Sequence, residues 1–462
     1  MNVQFYFILI CSIFAYCVIS VKYEPNWDSL DSRPLPSWYD EAKFGIFITW
    51  GVYSVPSVDD EWFWKYWMDR SDPKIVDYME KNFRPDFTYQ DFASMFTTEF
   101  YNPEEWADIF KASGAKYTIF VTKHCDGYTM WPSKTAFNWN SNATGPNRDL
   151  VGEFASALRK KTDIRVGLYH CLHEWYNPLY LRDKALNFTT RNYVDYKITP
   201  ALHELVENYK PELIWSDICE KEGPASYFQS REFLAWLYNE SPVKDTIVVN
   251  DRWCGKECLC HHGGYLTCND RFNPGVLQKR KFEGGLTIDR YTWGYRRNSN
   301  LADFLSVHEI ISHFASVISC GGNMVLNVGP TKEGKIVPIF EERLRQFGSW
   351  LGVNGEAVYS SRPWTNQNDT VIRNIWYTMK KTENGGTTVY AFLLSWPEDP
   401  VLKLGAPIPS PNTEVTMLGY PDKFDYIAGP GGQGVYVTIP KISWNKLPCQ
   451  WVWVLKMTSI EN

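Results

Sequence analysis

Pro211-Glu212-Leu213-Ile214-Trp215-Ser216-Asp217 is an apolar triplet that stops abruptly at a carboxylate. Strands buried on both faces read as short apolar runs of this kind, and they build barrels and doubly wound sheets. In barrels the chemistry sits at the C-terminal ends of the strands, which puts Asp217 at the functional end. Similar runs lie at 44–49, 117–122, 165–170, 246–250, 282–288 and 324–328, with helical patterns such as 150–159 and 199–209 between them. They end in Thr49-Trp50, Lys123-His124, Tyr169-His170, Asp251-Arg252, Asp289-Arg290 and Asn327. Strand–helix alternation predicts parallel β-structure, and polar clusters at all the ends favour a (β/α)8-like barrel over a doubly wound sheet. The barrel is expected over 21–356. Beyond it, the runs 371–377, 388–394, 401–404, 414–418, 434–439 and 450–456 are rich in β-formers and separated by Pro, Gly and Asn turns. They predict a C-terminal β-sandwich over 357–462.

The 462-residue chain is 44% apolar, enough for a large core plus an accessory module. A net charge of −6 leaves no footprint for nucleic acid or an anionic membrane. Residues 5–19 are almost wholly apolar, and Val18 and Ser20 fit the −3 and −1 positions of a cleavage site. Residues 1–20 therefore read as a signal peptide, although no Lys or Arg precedes the apolar stretch. No later segment has the length and apolarity of a membrane span. Entry into the secretory pathway, with a secreted or lysosomal destination, follows as the expectation. Four sequons agree with it, at Asn142, Asn187, Asn239 and Asn368, of which Asn239 is a poor acceptor because Pro242 follows its Ser241.

Nine cysteines remain after residue 20, an odd number that requires at least one unpaired thiol. Cys254, Cys258, Cys260, His261, His262 and Cys268 are dense enough to raise a zinc reading, but their spacing fits no paired C-x2-C knuckle. In an oxidising compartment local disulfides account for them better, so no metal and no cofactor is expected.

A second carboxylate, Glu283, reads as ending a similar short segment and stands among the aromatics Phe282, Tyr291 and Trp293. Two carboxylates flanking a sugar bond are the minimal equipment of a glycoside hydrolase. The 21 Trp and 28 Tyr would suit packing on sugar C–H faces, although an aromatic core uses them equally.

From Trp27 to the C-terminus the chain resembles the α-L-fucosidases of glycoside hydrolase family 29, the animal lysosomal and secreted type. The motifs are Trp38-Tyr39-Asp40-Glu41-Ala42-Lys43-Phe44-Gly45, Trp50-Gly51-Val52-Tyr53-Ser54-Val55-Pro56, Glu61-Trp62-Phe63-Trp64, Ile214-Trp215-Ser216-Asp217, Val249-Asn250-Asp251-Arg252-Trp253, Gly321-Gly322-Asn323 and Leu326-Asn327-Val328-Gly329-Pro330. The resemblance implies hydrolysis of terminal α-L-fucose from fucosylated glycans, with retention and without a metal. It implies Asp217 as nucleophile and Glu283 as general acid/base, with Glu61 as the alternative acid/base. Glu61, Trp62, His124, Tyr169, Trp215 and Arg252 would line the fucose pocket. A homo-oligomer is compatible with the sequence, which does not set the number of copies.

The chain departs from the family pattern at several positions, among them Asp126, where the Glu of Lys-His-His-Glu-Gly-Phe is shortened by one methylene. Thr49 stands where members usually carry His in Phe-Ile-His-Trp-Gly, and Cys125 stands at the second His of Lys-His-His-Glu-Gly-Phe. Losing two hydrogen bonds to sugar hydroxyls costs roughly 1–3 kcal/mol, on the order of 10- to 100-fold in rate. The alternative function is accordingly a pseudoenzyme that binds fucosylated glycans without turnover.

Overall fold

The computed structural model describes residues 21–219, 223–382 and 384–462, so the expected signal peptide lies outside the described residues. Among the described residues, seven parallel strands form one sheet: β1 (Phe44–Ile48), β2 (Tyr117–Lys123), β3 (Arg165–Cys171), β4 (Leu213–Asp217), β5 (Val248–Val249), β6 (Phe282–Thr287) and β7 (Gly322–Val328). Their order is β5-β4-β3-β2-β1-β7-β6. Residues of β1, β2 and β7 are buried throughout, as strands covered on both faces must be.

The eighth place is filled by an irregular segment between β5 and β6. Gly264 N and Tyr265 N donate to Val249 O, Leu266 N donates to Lys281 O, and Glu283 N donates to Leu266 O. Backbone hydrogen bonds thus run from one sheet edge to the other and close a (β/α)8-like barrel. Gly263 turns the chain into this segment at φ +113, where a Cβ would collide with Asn250 O. The strand β5 is shorter than the run 246–250 because Asn250 leaves the ladder and substitutes its side chain for it. Its Oδ1 accepts from Ser216 N (3.0 Å) and Ser216 Oγ (2.9 Å), and its Nδ2 donates to Ser216 O (2.9 Å). That amide braces the residue immediately before Asp217.

The crossover helices begin where their caps require. Asp149 accepts from Gly152 N at the start of Leu150–Lys161, and Ser306 with Glu309 forms a capping box on Val307–Ser319. Thr199–Tyr209 has the bounds expected from its periodicity.

A 21-residue helix, Pro338–Val358, ends the barrel part, and among the described residues only strands and short 3-10 turns follow. These strands are β8 (Arg362–Asn368), β9 (Ile375–Lys381), β10 (Thr387–Leu393), β11 (Val401–Leu404), β12 (Val415–Met417), β13 (Lys423–Phe424), β14 (Tyr426–Ala428), β15 (Val435–Thr438) and β16 (Trp453–Ile460). Among the described residues they form a six-stranded sheet, β13-β12-β16-β10-β9-β8, and a three-stranded sheet, β11-β15-β14, all paired antiparallel. The polar stretch of β8 did not read as a strand; it is an edge strand, where Pro363 is tolerated. Tyr390, Phe392, Val452 and Val454 join the apolar cluster of the barrel part, and Trp350 Nε1 donates to Val452 O (2.7 Å).

Among the described residues three disulfides form: Cys125–Cys219, Cys254–Cys258 and Cys260–Cys268. The last two are the local staples expected of the Cys/His loop. Cys171, Cys320 and Cys449 are free.

Candidate active site

Asp217 is the last residue of β4 and lines a cavity of about 350 Å³ inside the mouth of the barrel. Its carboxylate is oriented from three sides. Tyr169 Oη donates to Oδ2 (2.9 Å), while Ile218 N (2.9 Å) and Arg252 Nη1 (3.3 Å) donate to Oδ1. Burial, then the charge of Asp217, push the Tyr169 hydroxyl far above the ordinary tyrosine range, so it remains a donor. The Asp217 side chain keeps 19% exposure, enough to meet a ligand.

Arg252 connects Asp217 to a carboxylate that the sequence reading missed. Its Nη2 donates to Asp270 Oδ1 at 2.6 Å, and its guanidinium lies over the Trp215 ring, 4.7 Å from the centroid. One guanidinium thereby spans two carboxylates in the same cavity. Asp270 sits just past the segment that closes the barrel, a position equivalent to a strand's C-terminal end. The stapled loop fixes this region through Asp251, whose Oδ2 accepts from Cys260 N (2.7 Å) and Cys268 N (3.2 Å), while Thr267 Oγ1 donates to its Oδ1 (2.5 Å). Thr267 Oγ1 also accepts from Arg252 Nε (2.9 Å). The Asp270 side chain is 59% exposed. An Asp two residues past a loop cysteine, with no apolar run before it, carries no strand-end signal; the available sign was its place in a cross-linked loop.

Glu283 lies elsewhere along the barrel axis. It is the second residue of β6, level with Asn323 at the start of β7, so it faces the floor of the cavity. It is 2% exposed. Tyr117 Oη (2.7 Å) and Tyr39 Oη (2.8 Å) donate to its Oε2, and Trp215 Nε1 (3.0 Å) donates to its Oε1. Burial pushes its carboxyl above the ordinary glutamate range, against these donors, which favour the ionised form.

Glu61, Trp62, His124 and Thr49 complete the wall. Gly294 N (3.0 Å) and Thr292 Oγ1 (3.3 Å) donate to Glu61 Oε2, and burial raises its carboxyl. Trp62 packs on Trp175 with ring centroids 5.1 Å apart. His124 stacks on Tyr169 (6.1 Å, 13°), and burial brings its imidazole down to about 3, so it is neutral; its buried Nδ1 has no hydrogen-bond partner among the described residues. Thr49 Oγ1 donates to Asn327 Oδ1 (2.7 Å) and Asn327 Nδ2 donates to Trp293 O (2.7 Å), so the shorter side chain is absorbed into a local network. Cys125 is not a weakened hydrogen-bond donor, as its place at a family histidine had implied, but half of a disulfide. Its sulfur, Cys219 Sγ and a His124 ring nitrogen lie within 4.8 Å of one another, a spacing suited to a metal, yet the disulfide removes both thiolates.

Of the sequon asparagines, Asn142 and Asn187 are exposed and Asn368 is half-buried at the end of β8. Asn239 is occupied: its Oδ1 accepts from Tyr23 N (2.9 Å) and its Nδ2 donates to Tyr23 O (2.8 Å).

A family model described as alpha-L-fucosidase matches residues 14–356, and one described as alpha-L-fucosidase C-terminal domain matches residues 367–458. The chain is 52% identical to an alpha-L-fucosidase of Branchiostoma floridae over 98% of this chain and 99% of that one. It is 50% identical to the tissue alpha-L-fucosidase of Homo sapiens (95% and 92% covered) and 48% identical to the human plasma alpha-L-fucosidase (96% and 93%). The crystal structure of Thermotoga maritima alpha-fucosidase with a mechanism-based inhibitor superposes with a TM-score of 0.77 at 30% identity, covering 94% of this chain and all of that one. Among the described residues no helix is long and apolar enough to cross a membrane. The chain belongs to the α-L-fucosidase family.

Proposed function

We propose that this protein hydrolyses terminal α-L-fucosides of glycoproteins and glycans by double displacement, with Asp217 as the nucleophile. The observation that carries this reading is the Asp217 carboxylate, held by Tyr169, Ile218 N and Arg252 at a strand's C-terminal end, inside a cavity lined by Phe47, Trp62, Trp215 and Trp293. Aromatic faces suit the C–H face and methyl group of a 6-deoxy sugar, while Glu61 and His124 offer polar atoms for its hydroxyls. Asp217 attacks the anomeric carbon as the glycosidic bond breaks, and an acid protonates the departing oxygen. In the second step that residue, now a base, takes a proton from water, which attacks the fucosyl ester and frees Asp217.

Asp270 suits the acid/base role best. Retaining enzymes hold their two carboxyls about 5–5.5 Å apart, and sharing the Arg252 guanidinium keeps Asp270 near Asp217. Its exposure gives it access to a leaving group and to water. Glu283 is the second reading, favoured by its raised pKa, which a proton donor requires. Its three donors and its depth support instead a role in holding Trp215 under the sugar. The family match and the two mouth carboxylates favour an enzyme over a binding-only protein. Entry into the secretory pathway, glycans on Asn142, Asn187 and Asn368, and a domain boundary near residue 356 belong to the same proposal. The test is hydrolysis of a chromogenic α-L-fucoside by the purified protein. Release of fucose by the wild type and none by Asp217→Ala is expected, and equal rates in both would overturn the assignment.

A further inference from the structure

The ends of β2, β3 and β4 each carry a cysteine. Cys125 directly follows His124, Cys171 ends β3, and Cys219 lies two residues past Asp217. Cys171 pairs in register with Asp217, and Leu172 N donates to Asp217 O (2.7 Å). The three sulfurs form one cluster: Cys171 Sγ is 2.8 Å from Cys125 Sγ and 3.5 Å from Cys219 Sγ, while Cys125 and Cys219 are bonded.

We propose that the Cys125–Cys219 disulfide is a positioning element for catalysis, clamping the chain after the nucleophile to the turn that carries His124. The inference rests on the fucosidase reading with Asp217 as nucleophile. The other two disulfides close stretches of 4 and 8 residues within one loop, whereas this one spans 94 residues and ties two separate strand ends across β3. Both ends reach the site. Cys219 lines the cavity wall, and a His124 ring nitrogen lies within 4.8 Å of both sulfurs. The bridge therefore sets the spacing between the imidazole that meets the sugar and the carboxylate that attacks it. Errors of about 1 Å in such spacing cost on the order of 100-fold in rate. Cys171 is poised to exchange with the bridge, but burial pushes its thiol up to about 12, so little thiolate exists at neutral pH to attack. The clamp is consequently held closed until an external dithiol reduces it. In that reaction the S–S bond breaks, Cys125 and Cys219 each leave as thiols, and the dithiol becomes its own disulfide.

The test compares full-length wild type with Cys125→Ser/Cys219→Ser on an aryl α-L-fucoside. Active sites are counted by trapping with a 2-fluoro-fucosyl fluoride, so that misfolded molecules do not enter kcat. The expected result is a fall in kcat per trapped site on the order of 10- to 100-fold. KM should change much less, and Cys171→Ala, which keeps the bridge, should retain kcat. If the double variant fails to fold, native wild type treated with dithiothreitol takes its place, with thiol mapping by mass spectrometry. Loss of kcat as Cys125 and Cys219 become alkylatable, restored on reoxidation, supports the clamp. Unchanged kcat per site with the bridge absent overturns it. A wild type that turns over no α-L-fucoside sinks the fucosidase reading itself, which is a different result.

Discussion

Asp217 and Glu283 had similar signatures in the sequence, a carboxylate beside a short apolar run, and the difference lies in which end of the run each occupies. Asp217 follows Leu213-Ile214-Trp215 and so closes β4, whereas Glu283 precedes Leu286 and opens β6. Strand direction, not composition, separates the mouth of the barrel from its floor. Asp270 was illegible because it follows irregular chain, and only the barrel's closing hydrogen bonds reveal that it stands at a strand-end position. Two predictions belong at this scale. Asp217→Ala should lose roughly three orders of magnitude or more in kcat while melting near the wild-type temperature, checked by steady-state kinetics and calorimetry. Azide should restore turnover of an activated aryl fucoside in Asp270→Ala but not in Glu283→Ala or Glu61→Ala, because azide attacks the glycosyl-enzyme without a general base. Rescue confined to Glu283→Ala would return the acid/base role to that residue.

At the scale of elements, the strand ends are fixed by buried charge and by sulfur. Lys123, at the end of β2, is fully buried and donates to Glu174 Oε1 (2.9 Å), which also faces Lys197 at 3.5 Å. Burial alone would raise Glu174, but Lys123 and Lys197 outweigh it and hold the carboxyl at about 2 against an ordinary value of 4.5. A depressed carboxyl contributes stability that is complete above about 4.5 and is lost as the pH falls toward about 2. Glu174→Gln, which leaves two buried ammonium groups without their partner, should cost about 3–5 kcal/mol at neutral pH. That deficit should shrink as melting curves are taken from pH 5 down to pH 3. A deficit constant across that range would contradict the assignment. The same elements revise the expectation at the departures from the family pattern. Cys125→His breaks a bridge that closes a 94-residue span, a loss of about 4.7 kcal/mol in the chain-entropy account. It should therefore lower both the melting temperature and kcat, whereas recovery of a hydrogen bond alone had implied a gain.

On the scale of the whole molecule, the alternation of apolar runs and helices sufficed for the barrel, and the turn-punctuated β-formers sufficed for the sandwich. Three things were not legible. The eighth barrel position is filled by irregular chain around Gly264, β8 is polar because it is an edge, and the two parts share an apolar cluster. Each depends on contacts between residues far apart in sequence, which no local pattern encodes. Because Trp350 donates to Val452 O and Tyr390 and Phe392 pack into the barrel's cluster, removal of 362–462 should expose a broad apolar face. The truncated chain should aggregate, and the full chain should unfold in one calorimetric transition; two separated transitions would show that the parts are energetically independent. The central claim, a covalent fucosyl-enzyme on Asp217, is tested most directly by incubation with a 2-fluoro-fucosyl fluoride followed by peptide mass spectrometry. The account predicts a single fluorofucosyl adduct on the peptide containing Asp217, absent in Asp217→Ala; an adduct on a different carboxylate, or turnover with no adduct on any, would contradict it.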